Sequence, residues 1–593
     1  MIPNFILKKL YKKNSLSTAP GGIALTILNK IDTGYVKALK SVAVDGIDYG
    51  PECIEIYVPE QEMRQASDVE PSAPLPLKVG VEVTILVKGP SLKENEGKHE
   101  IAIRLDVQDL GNLDIRFKDS IHGHRDDITP SQWNAPSQLK ESPQESVFIT
   151  EEMRSHRPIK VVFLGAGSAV FCRNLVNDIL CIPGLEQGEF GLVDIDEERL
   201  ELAHQISEKM VQSSGKSWTV QSSVHREQIL PGADFVISMI EVAGLRNVEH
   251  DYKIPLKYGI DQCIGDTIGP GGIFKMLRTG PSWLAILRDI ERLCPQAMVM
   301  NYTNPMSALT LLGLQAVNIP LVGLCHSVQN TSHQLSLYLD IPYDELKWEC
   351  AGINHMAWFT HLEHRGEDQY PRLRQMLNST DLFEADPVRF EMMRQFGAFV
   401  TESSGHFSEY LPYFRKRPDL LQKYTREASD AGRSGSYAED WPKARTSADQ
   451  TIRELLSHEG NMMLQRGEEY ASHIVEAWFA DKPTIIHGNV LNQGMISNLP
   501  CQACVEVPVM VDRKGFHPVH FGALPPQMAA LNQSHLAFHE LAVKAIMEKD
   551  KEAAIHALML DPLSAAVCSP AEIRSLFEEM WEAQAQDLEY FRP

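Results

Sequence analysis

A short apolar run that ends in a glycine turn constrains the fold of this 593-residue chain more than any other feature. Lys160–Leu164 is typical of a buried strand, and it continues into Gly165-Ala-Gly167-Ser168. Gly165 permits a tight turn, and Gly167 lets the backbone approach a pyrophosphate at the N-terminus of the next helix. The third glycine of the usual fingerprint is replaced by Val170, so the turn alone is a weak signal.

A second strand and an acidic residue follow the glycine turn at the spacing of a dinucleotide-binding unit. Gly188–Asp194 is the strand candidate, and Asp194 stands about 30 residues after Gly165. A carboxylate there can accept hydrogen bonds from a ribose diol, which favours NAD over NADP. This order of elements predicts an NAD site at Gly165, Gly167, Ser168 and Asp194. The alternative is a tight turn in an α/β fold that binds no cofactor.

The pattern of apolar runs divides the chain into three predicted domains. Residues 1–150 alternate apolar and polar positions in short runs, which predicts a small all-β domain. Residues 158–330 alternate strand and helix patterns, which predicts an α/β, Rossmann-like parallel sheet with helices on both faces. Residues 331–593 are helix-rich with a few strands, typical of an α+β domain. A polar stretch containing Pro130, Pro136 and Pro143 predicts a linker that ends near residue 157.

The elements predicted for the second and third regions can be stated as ranges. The strand candidates are Lys160–Leu164, Gly188–Asp194, Asp234–Ile240, Ala297–Asn301, Leu321–Leu324, Thr484–His487 and Cys504–Val511, and the first two helix patterns are Val170–Leu180 and Glu197–Gln212.

Charge and composition exclude several classes of protein. Lys and Arg together number 56 and Asp and Glu 79, so the net charge is −23. This balance argues against nucleic acid or an anionic membrane as the main partner. The sequence contains no run of 18 apolar residues, so we expect no membrane-spanning helix. The N-terminal apolar run is too short for a secretion signal. Ten scattered cysteines indicate free thiols, so we expect a soluble, cytoplasmic protein.

Six motifs in order carry a resemblance to a known family. They are Gly165–Phe171, Gly265-Asp-Thr-Ile-Gly-Pro-Gly-Gly272, Asn301-Tyr-Thr-Asn-Pro-Met306, Gly323-Leu-Cys-His-Ser-Val-Gln329, Gly352-Ile-Asn-His-Met-Ala-Trp358 and Thr401-Glu-Ser-Ser-Gly-His-Phe-Ser-Glu-Tyr-Leu-Pro-Tyr413. The chain resembles glycoside hydrolase family 4, particularly its α-galactosidase branch, over residues 158–590. Residues 1–150 have no counterpart in the usual architecture of that family.

The resemblance implies an unusual chemistry, because this family does not use a simple pair of carboxylates. Bound NAD takes a hydride from C3 of the sugar, the ketone acidifies the C2 proton, a base removes that proton, and the aglycone leaves C1. Water then adds and the hydride returns, so there is no net redox change. A divalent cation at O2 and O3 stabilises the enediolate.

The resemblance also assigns roles to single residues. Cys325 and His355 are implied as ligands of the cation, with Mn²⁺ the usual ion, although a thiolate and an imidazole suit many first-row metals. His326 stands where phospho-sugar branches carry Asp. It is the implied acid for the leaving oxygen, which favours an unphosphorylated substrate. The alternative for His326 is a residue that only orients its neighbours.

The remaining site assignments are less specific. Asn304 is implied as a substrate-binding residue near the metal, with a turn-forming role as its alternative. Tyr410 is the first candidate for the base at C2. Tyr413, Glu402 and Glu409 are its rivals in the same segment.

For several other polar residues, a functional role and a purely structural role are both open. Asp266 and Arg278 contact substrate or cofactor, or are members of structural ion pairs. Cys501 and Cys504 have the spacing of a redox or metal pair, but with no second pair nearby we interpret them as incidental. His122 and His124 have metal-ligand potential, although a solvated loop is the preferred interpretation.

The hypothesis that follows is an NAD- and Mn-dependent glycosidase for unphosphorylated α-hexosides, with α-galactosides favoured. An α-galacturonidase or α-glucosidase of the same family is the nearest alternative, and an NAD-dependent sugar dehydrogenase is a different class. The resemblance further implies a homodimer or homotetramer, with substrate binding and oligomerisation in residues 331–593.

Overall fold

The computed structural model describes residues 10–13, 15–28, 34–58, 63–71, 74–77, 81–89, 98–107, 111–122, 158–378, 380–425, 432–458 and 460–592. The predicted linker and His124 lie outside these residues. The chain divides into two compact units: one is Met1–Val147 with Ser332–Leu346 and Pro371–Ala385, and the other holds the rest.

The N-terminal strands form two antiparallel sheets, as the period-two pattern predicts. One sheet has the order β1-β2-β8-β5-β6, and the other has the order β10-β9-β3-β4 with β7 beside β3. The strands are β1 Ser17–Ala19, β2 Gly22–Leu28, β3 Gly34–Val44, β4 Ile47–Tyr49, β5 Ile54–Tyr57, β6 Arg64–Gln65, β7 Leu75–Leu77, β8 Glu82–Lys88, β9 His99–Val107 and β10 Gly111–Asp119.

Alternating side chains of these strands build one apolar core. On β9, Ile101, Ile103, Leu105 and Val107 are all buried, as their spacing by two predicts. The run from His99 to Phe117 is a hairpin of two strands rather than one, with Ile103 opposite Ile115.

The second unit is built on one mixed sheet of 13 strands. Its strands are β11 Ile159–Leu164, β12 Gln187–Val193, β13 Ser217–Ser223, β14 Phe235–Ser238, β15 Met298–Asn301, β16 Leu321–Gly323, β17 Lys347–Ile353, β18 Met356–His364, β19 Glu367–Asp368, β20 Phe399–Val400, β21 Thr484–Leu491, β22 Cys504–Asp512 and β23 Gly515–Pro518. Each predicted strand of the second and third regions has a counterpart here, shifted by a few residues at its ends.

The first half of this sheet is parallel, in the order β13-β12-β11-β14-β15-β16. Numbered from β11, this is the strand order 3-2-1-4-5-6 of a Rossmann fold, which binds ligands outside the carboxyl ends of its strands. The sheet then continues antiparallel, because Gly323 on β16 pairs with Asn489 on β21. The predicted α/β class with a helix-rich α+β part is confirmed, and the two parts share one sheet.

The helices alternate with these strands along the chain. They are α1 Ala169–Leu180, α2 Glu197–Ser214, α3 Arg226–Ile229, α4 Gly244–Lys257, α5 Gly269–Leu293, α6 Met306–Ala316, α7 Ser327–Leu339, α8 Tyr370–Gln375, α9 Thr380–Ala385, α10 Pro387–Phe396, α11 Ser404–Phe407, α12 Pro418–Tyr424, α13 Ser436–Ser457, α14 Tyr470–Ala480, α15 Pro526–Glu548, α16 Lys551–Leu560, α17 Pro562–Val567 and α18 Pro570–Ala583. Within the described residues, no helix combines the length and the apolar character that crossing a membrane needs.

Candidate active site

The glycine turn lies at the carboxyl end of β11, where a Rossmann fold binds its dinucleotide. The amides of Gly165 and Ala166 both donate to the carbonyl of Val193, at 2.9 and 3.0 Å, so the turn is fixed against β12. Gly165 has a φ of +85°, and a Cβ there would meet the carbonyl oxygen of Met239 at 2.7 Å. Only glycine therefore fits this turn without strain.

The carboxylate of Asp194 supports the same turn. Its Oδ2 accepts from the Gly167 amide at 2.7 Å, and its Oδ1 accepts from the Asp196 amide at 3.0 Å. A Cβ on Gly167 would lie 2.7 Å from this Oδ2. Ser168 follows as the exposed N-cap residue of α1, and its side chain makes no capping bond. These residues fit a dinucleotide, because the glycine turn, the N-terminus of α1 and the carboxylate of Asp194 lie next to one another.

A contact that sequence reasoning missed ties the glycine turn to the C-terminal half of the chain. Arg199 on α2 donates through Nε to the carbonyl of Gly167 at 2.8 Å, and its Nη1 pairs with Asp449 on α13 at 2.5 Å. Asp449 lies 250 residues further along the chain, in none of the six motifs, so no local pattern indicates this pairing.

His355 lies at the tip of the β17–β18 hairpin, in the two-residue turn between Ile353 and Met356. Its φ of +63° falls in the left-handed region, as does the φ of +71° at Glu402. Two non-glycine residues in that region within one cluster mark backbone strain of the kind that collects at functional sites.

The two predicted metal ligands are brought together. Cys325 lies two residues beyond the end of β16, and its thiol interacts electrostatically with the His355 side chain. Burial raises the pKa of Cys325, but the neighbouring His355 more than compensates and lowers it to about 7. For His355, burial lowers the pKa, while Glu402 and Cys325 raise it to about 9. The pair thus favours the thiolate form of Cys325 beside a protonated His355, and a bound cation would replace the proton on that imidazole.

Two further potential donors, half-buried Glu402 and buried His406, lie around His355. Nε2 of His355 lies 3.4 Å from a carboxylate oxygen of Glu402, and Nδ1 of His406 lies 3.7 Å from the other. The donor atoms of His355, Glu402 and His406 all lie within 4.8 Å of one another. Imidazole and carboxylate donors in one cluster, with the Cys325 thiol beside His355, fit a divalent first-row metal. Sequence reasoning weighed Glu402 only as a base and assigned no role to His406.

Asp266 connects this cluster to the loop after β15. It accepts from Asn304 Nδ2 at 2.8 Å and from the Thr267 hydroxyl at 2.7 Å, and it lies 3.4 Å from His406 Nε2. Burial raises the pKa of Asp266, but the hydrogen bond from His406 and the charge of Lys275 hold it well below its usual range. Asp266 is therefore a buried carboxylate at the site, and Asn304 is bonded to it.

Of the four predicted candidates for the base, only Tyr410 and Glu402 reach the ring of His355. The hydroxyl of Tyr410 lies 2.8 Å from His355 Nδ1, and burial raises the pKa of this tyrosine well above its usual value. Glu409 instead accepts from the amides of Ile264 and Gly265, both at 2.9 Å.

Tyr413 lies apart from this group. Its side chain is exposed, and its ring contacts Phe396 and Phe414.

His326 is paired with a residue that sequence reasoning missed. Its Nε2 lies 2.8 and 2.7 Å from the two carboxylate oxygens of Glu469. Burial lowers the pKa of His326, but the hydrogen bond and charge of Glu469 raise it to about 9. Glu469 directly precedes α14, in a segment that carries no motif, which is why only the folded chain reveals it.

A buried polar pair lies on the strands that link the two predicted ligands. Asn489 on β21 faces Glu506 on β22, and its Nδ2 approaches Glu506 Oε1 at 3.3 Å and the Gly323 carbonyl at 3.4 Å. Glu506 in turn pairs with Gly352 on β17. Burial and the charge of Cys325 raise the pKa of Glu506 well above its usual value.

The other candidates are engaged in structural contacts. Arg278 is buried and bonds to Asp251 at 2.7 Å and to Gln584. Cys501 is exposed and Cys504 is buried, and neither forms a disulfide. His122 lies 3.0 Å from an oxygen of Asp119.

Comparisons with known proteins agree with this architecture. Residues 160–341 match the model described as family 4 glycosyl hydrolase, and residues 350–564 match the family 4 glycosyl hydrolase C-terminal domain. Residues 6–122 separately match the description hydroxymethylglutaryl-CoA reductase, N-terminal domain. An α-galactosidase of Bacillus subtilis (strain 168) is 38% identical over 438 residues, which are 73% of this chain and 100% of the relative.

Solved structures share the fold of this chain over most of its length. A putative glucosidase from Bacillus subtilis superposes with a TM-score of 0.63 at 27% identity, covering 71% of this chain and 99% of its own. A 6-phospho-α-glucosidase from gut microorganisms, solved in complex with NAD and Mn²⁺, has a TM-score of 0.61 at 21% identity, covering 73% and 99% of the two chains. With its Rossmann sheet and both matching domains, the chain belongs to glycosyl hydrolase family 4.

Proposed function

We propose that this enzyme hydrolyses unphosphorylated α-hexosides, and α-galactosides above all, with bound NAD and Mn²⁺. The observation that carries the proposal is the convergence of Cys325 and His355 in the sheet whose glycine turn fits a dinucleotide. The α-galactosidase relative supports the sugar, and the solved 6-phospho-α-glucosidase supports the two cofactors.

Each cofactor has a defined set of residues in this proposal. NAD would lie on Gly165, Gly167, Ser168 and Asp194, and Cys325 and His355 would hold the cation, with Glu402 as the third donor. When bound, NAD would supply reversible hydride transfer with the sugar, and the cation would polarise sugar oxygens.

The protein's own residues then move two protons. Tyr410 removes the proton from C2, since it is the tyrosine whose hydroxyl reaches the ring of His355. His326 donates a proton to the glycosidic oxygen as the C1–O bond breaks. Asn304 binds a sugar hydroxyl while Asp266 fixes its amide at 2.8 Å.

The charges near the cluster favour a neutral sugar over a phosphorylated one. Lys275 is buried, and its Nζ lies 2.9 Å from Glu241 and 3.9 Å from Asp266, so its charge is already balanced. His326 is likewise balanced by Glu469. A phosphate or uronate group on the sugar would have to compete with these carboxylates for the positive charges of Lys275 and His326. We therefore expect α-galacturonides to be poorer substrates than α-galactosides.

One assay separates the alternatives. The enzyme is incubated with 4-nitrophenyl α-galactoside, α-galacturonide and α-glucoside, each with NAD⁺, Mn²⁺ and a thiol reductant. We expect nitrophenol release, fastest from the galactoside, without net accumulation of NADH. Steady NADH production without nitrophenol would identify a sugar dehydrogenase instead, and preference for the uronide would identify an α-galacturonidase.

Two wider features belong to the same proposal. A thiolate ligand at Cys325 requires a reduced cysteine, which supports a cytoplasmic location. We also propose a homodimer or homotetramer, which size-exclusion chromatography with light scattering tests.

A further inference from the structure

A segment that contains no motif supplies the partner of the proposed acid. Residues 460–469 run without helix or strand and end at Glu469, the N-cap residue of α14. We call residues 460–469 the strap. Both carboxylate oxygens of Glu469 lie within 2.8 Å of Nε2 of His326.

The strap is attached to the helix that follows the glycine turn. Asn177 on α1 accepts from the Gln465 amide at 3.2 Å and donates to its carbonyl. Asp178, the next residue, accepts from the Gly467 amide at 2.8 Å. Gln329 donates to the Glu468 carbonyl at 2.8 Å. The backbone is thereby fixed at Gln465, Gly467 and Glu468, shortly before Glu469.

The Glu469 side chain has a second support in Tyr302. The Tyr302 hydroxyl donates to a Glu469 oxygen at 3.5 Å and accepts from the Ala471 amide at 3.2 Å. The rings of Phe171 and Tyr302 each lie 5.8 Å from the His326 ring, one edge-on and one stacked. Only 16% of the Glu469 side chain is exposed, against 41% of His326, so the carboxylate is the inner member of the pair.

We propose that Glu469 is the positioning residue that holds the His326 ring so that Nδ1 delivers the proton to the departing oxygen. The inference rests on the proposed function, in which His326 is the acid. Because Nε2 is engaged by the carboxylate, the proton that moves is the one on Nδ1. As the C1–O bond breaks, its electron pair stays on the leaving oxygen, which takes this proton, and His326 is left neutral with Nε2–H bonded to Glu469.

A leaving-group comparison tests the proposal. A nitrophenolate departs without a proton, whereas an alkoxide needs one. In Glu469→Gln we expect kcat/KM for methyl α-galactoside to fall by about 100-fold or more, in the range of general acid catalysis. For 4-nitrophenyl α-galactoside we expect a change of less than about threefold. Equal losses on both substrates, or no loss on either, would overturn the proposal.

Two controls complete the experiment. Glu468→Gln makes the same change one residue away, on a residue whose backbone carbonyl accepts from Gln329, and should leave both substrates unaffected. In a His326→Asn background, Glu469→Gln should add no further loss, because the carboxylate acts through His326. An additive loss in the double variant contradicts the proposal even if Glu469→Gln alone folds poorly.

The same data distinguish failure of this inference from failure of the proposed function. If the unsubstituted enzyme releases no nitrophenol from any α-hexoside, the proposed function fails. If it does, but His326→Asn shows no leaving-group dependence, the acid is another residue and Glu469 has no catalytic role.

Discussion

The hydroxyl of Tyr410 lies 2.8 Å from Nδ1 of His355, so the proposed base and a proposed metal ligand share one hydrogen bond. On the opposite side of the ring, Nε2 is 3.4 Å from Glu402. A metal-binding histidine is usually oriented by a partner on its other nitrogen. Tyr410 has the position for both orienting His355 and moving a proton, and the two roles give different kinetics.

Tyr410→Phe should lower kcat at saturating Mn²⁺ by roughly 100-fold or more, the contribution of a general base. In D₂O, the exchange of deuterium into C2 of the sugar should fall in parallel, because removal of the C2 proton is the step that is lost. NMR of recovered galactose measures this exchange. Tyr413→Phe is the matched control, since the exposed Tyr413 ring lies against Phe396 and Phe414. A variant that loses only Mn²⁺ affinity would show that Tyr410 orients His355 and is not the base.

Cys325→Ser and His355→Asn should each weaken Mn²⁺ binding by more than about 100-fold, beyond the usual effect of substituting a residue that merely orients a ligand. The electron paramagnetic resonance signal of free Mn²⁺ measures this without any activity assay. Cys501→Ser removes an exposed thiol elsewhere and serves as the control.

Chelation with EDTA should abolish activity of the unsubstituted enzyme, and Mn²⁺ should restore it. Mn²⁺ affinity that survives both ligand substitutions would place the metal on other residues.

Gly167→Ala should raise the Kd for NAD by at least about tenfold, near 1.4 kcal/mol. The added Cβ would lie 2.7 Å from Asp194 Oδ2, so the acid and the turn must move apart. Titration calorimetry gives the Kd. Gly215→Ala, at the C-terminus of α2, has open space for its Cβ but a φ of +68°, so it should lower the stability of the fold and leave the Kd unchanged. Unaltered NAD affinity in Gly167→Ala would remove the glycine turn from the binding site.

The local elements of this fold were predictable because their signals are local. Apolar runs predicted strands at 160–164 and 188–194, where the structure has Ile159–Leu164 and Gln187–Val193. The continuation of the parallel sheet into an antiparallel half was not predictable, because it depends on Gly323 meeting Asn489, 166 residues away.

The same difference between local and long-range signals separates the site residues that the sequence predicted from those that it missed. Cys325 and His355 were identified because their motifs resemble those of a family. Glu469 and Asp449 were missed, since each acts on a residue more than 140 positions away and no periodicity reports such a pairing. His406 lies inside a motif, but only the fold shows that its ring joins Glu402 and Asp266.

Asp178 provides a prediction about stability and pH. Burial raises its pKa to about 6, although the Gly467 amide and Asn177 donate to its Oδ1. Because the folded state holds this proton more tightly than the unfolded state, the group stabilises the fold below pH 4. That stabilisation is lost as the pH rises through about 6. The shift of about two pKa units corresponds to at most about 3 kcal/mol.

Asp178→Asn keeps an acceptor for Gly467 and Asn177 and carries no charge, so its Tm should exceed that of the unsubstituted protein at pH 8. The advantage should vanish at pH 4. Asp289→Asn should do the opposite, because Arg226 and Arg292 lie 2.7 and 2.6 Å from Asp289 and hold its pKa below its usual value. Thermal unfolding followed by circular dichroism at both pH values gives the comparison. A lower Tm for Asp178→Asn at pH 8 would mean that the ionised carboxylate stabilises the strap on α1.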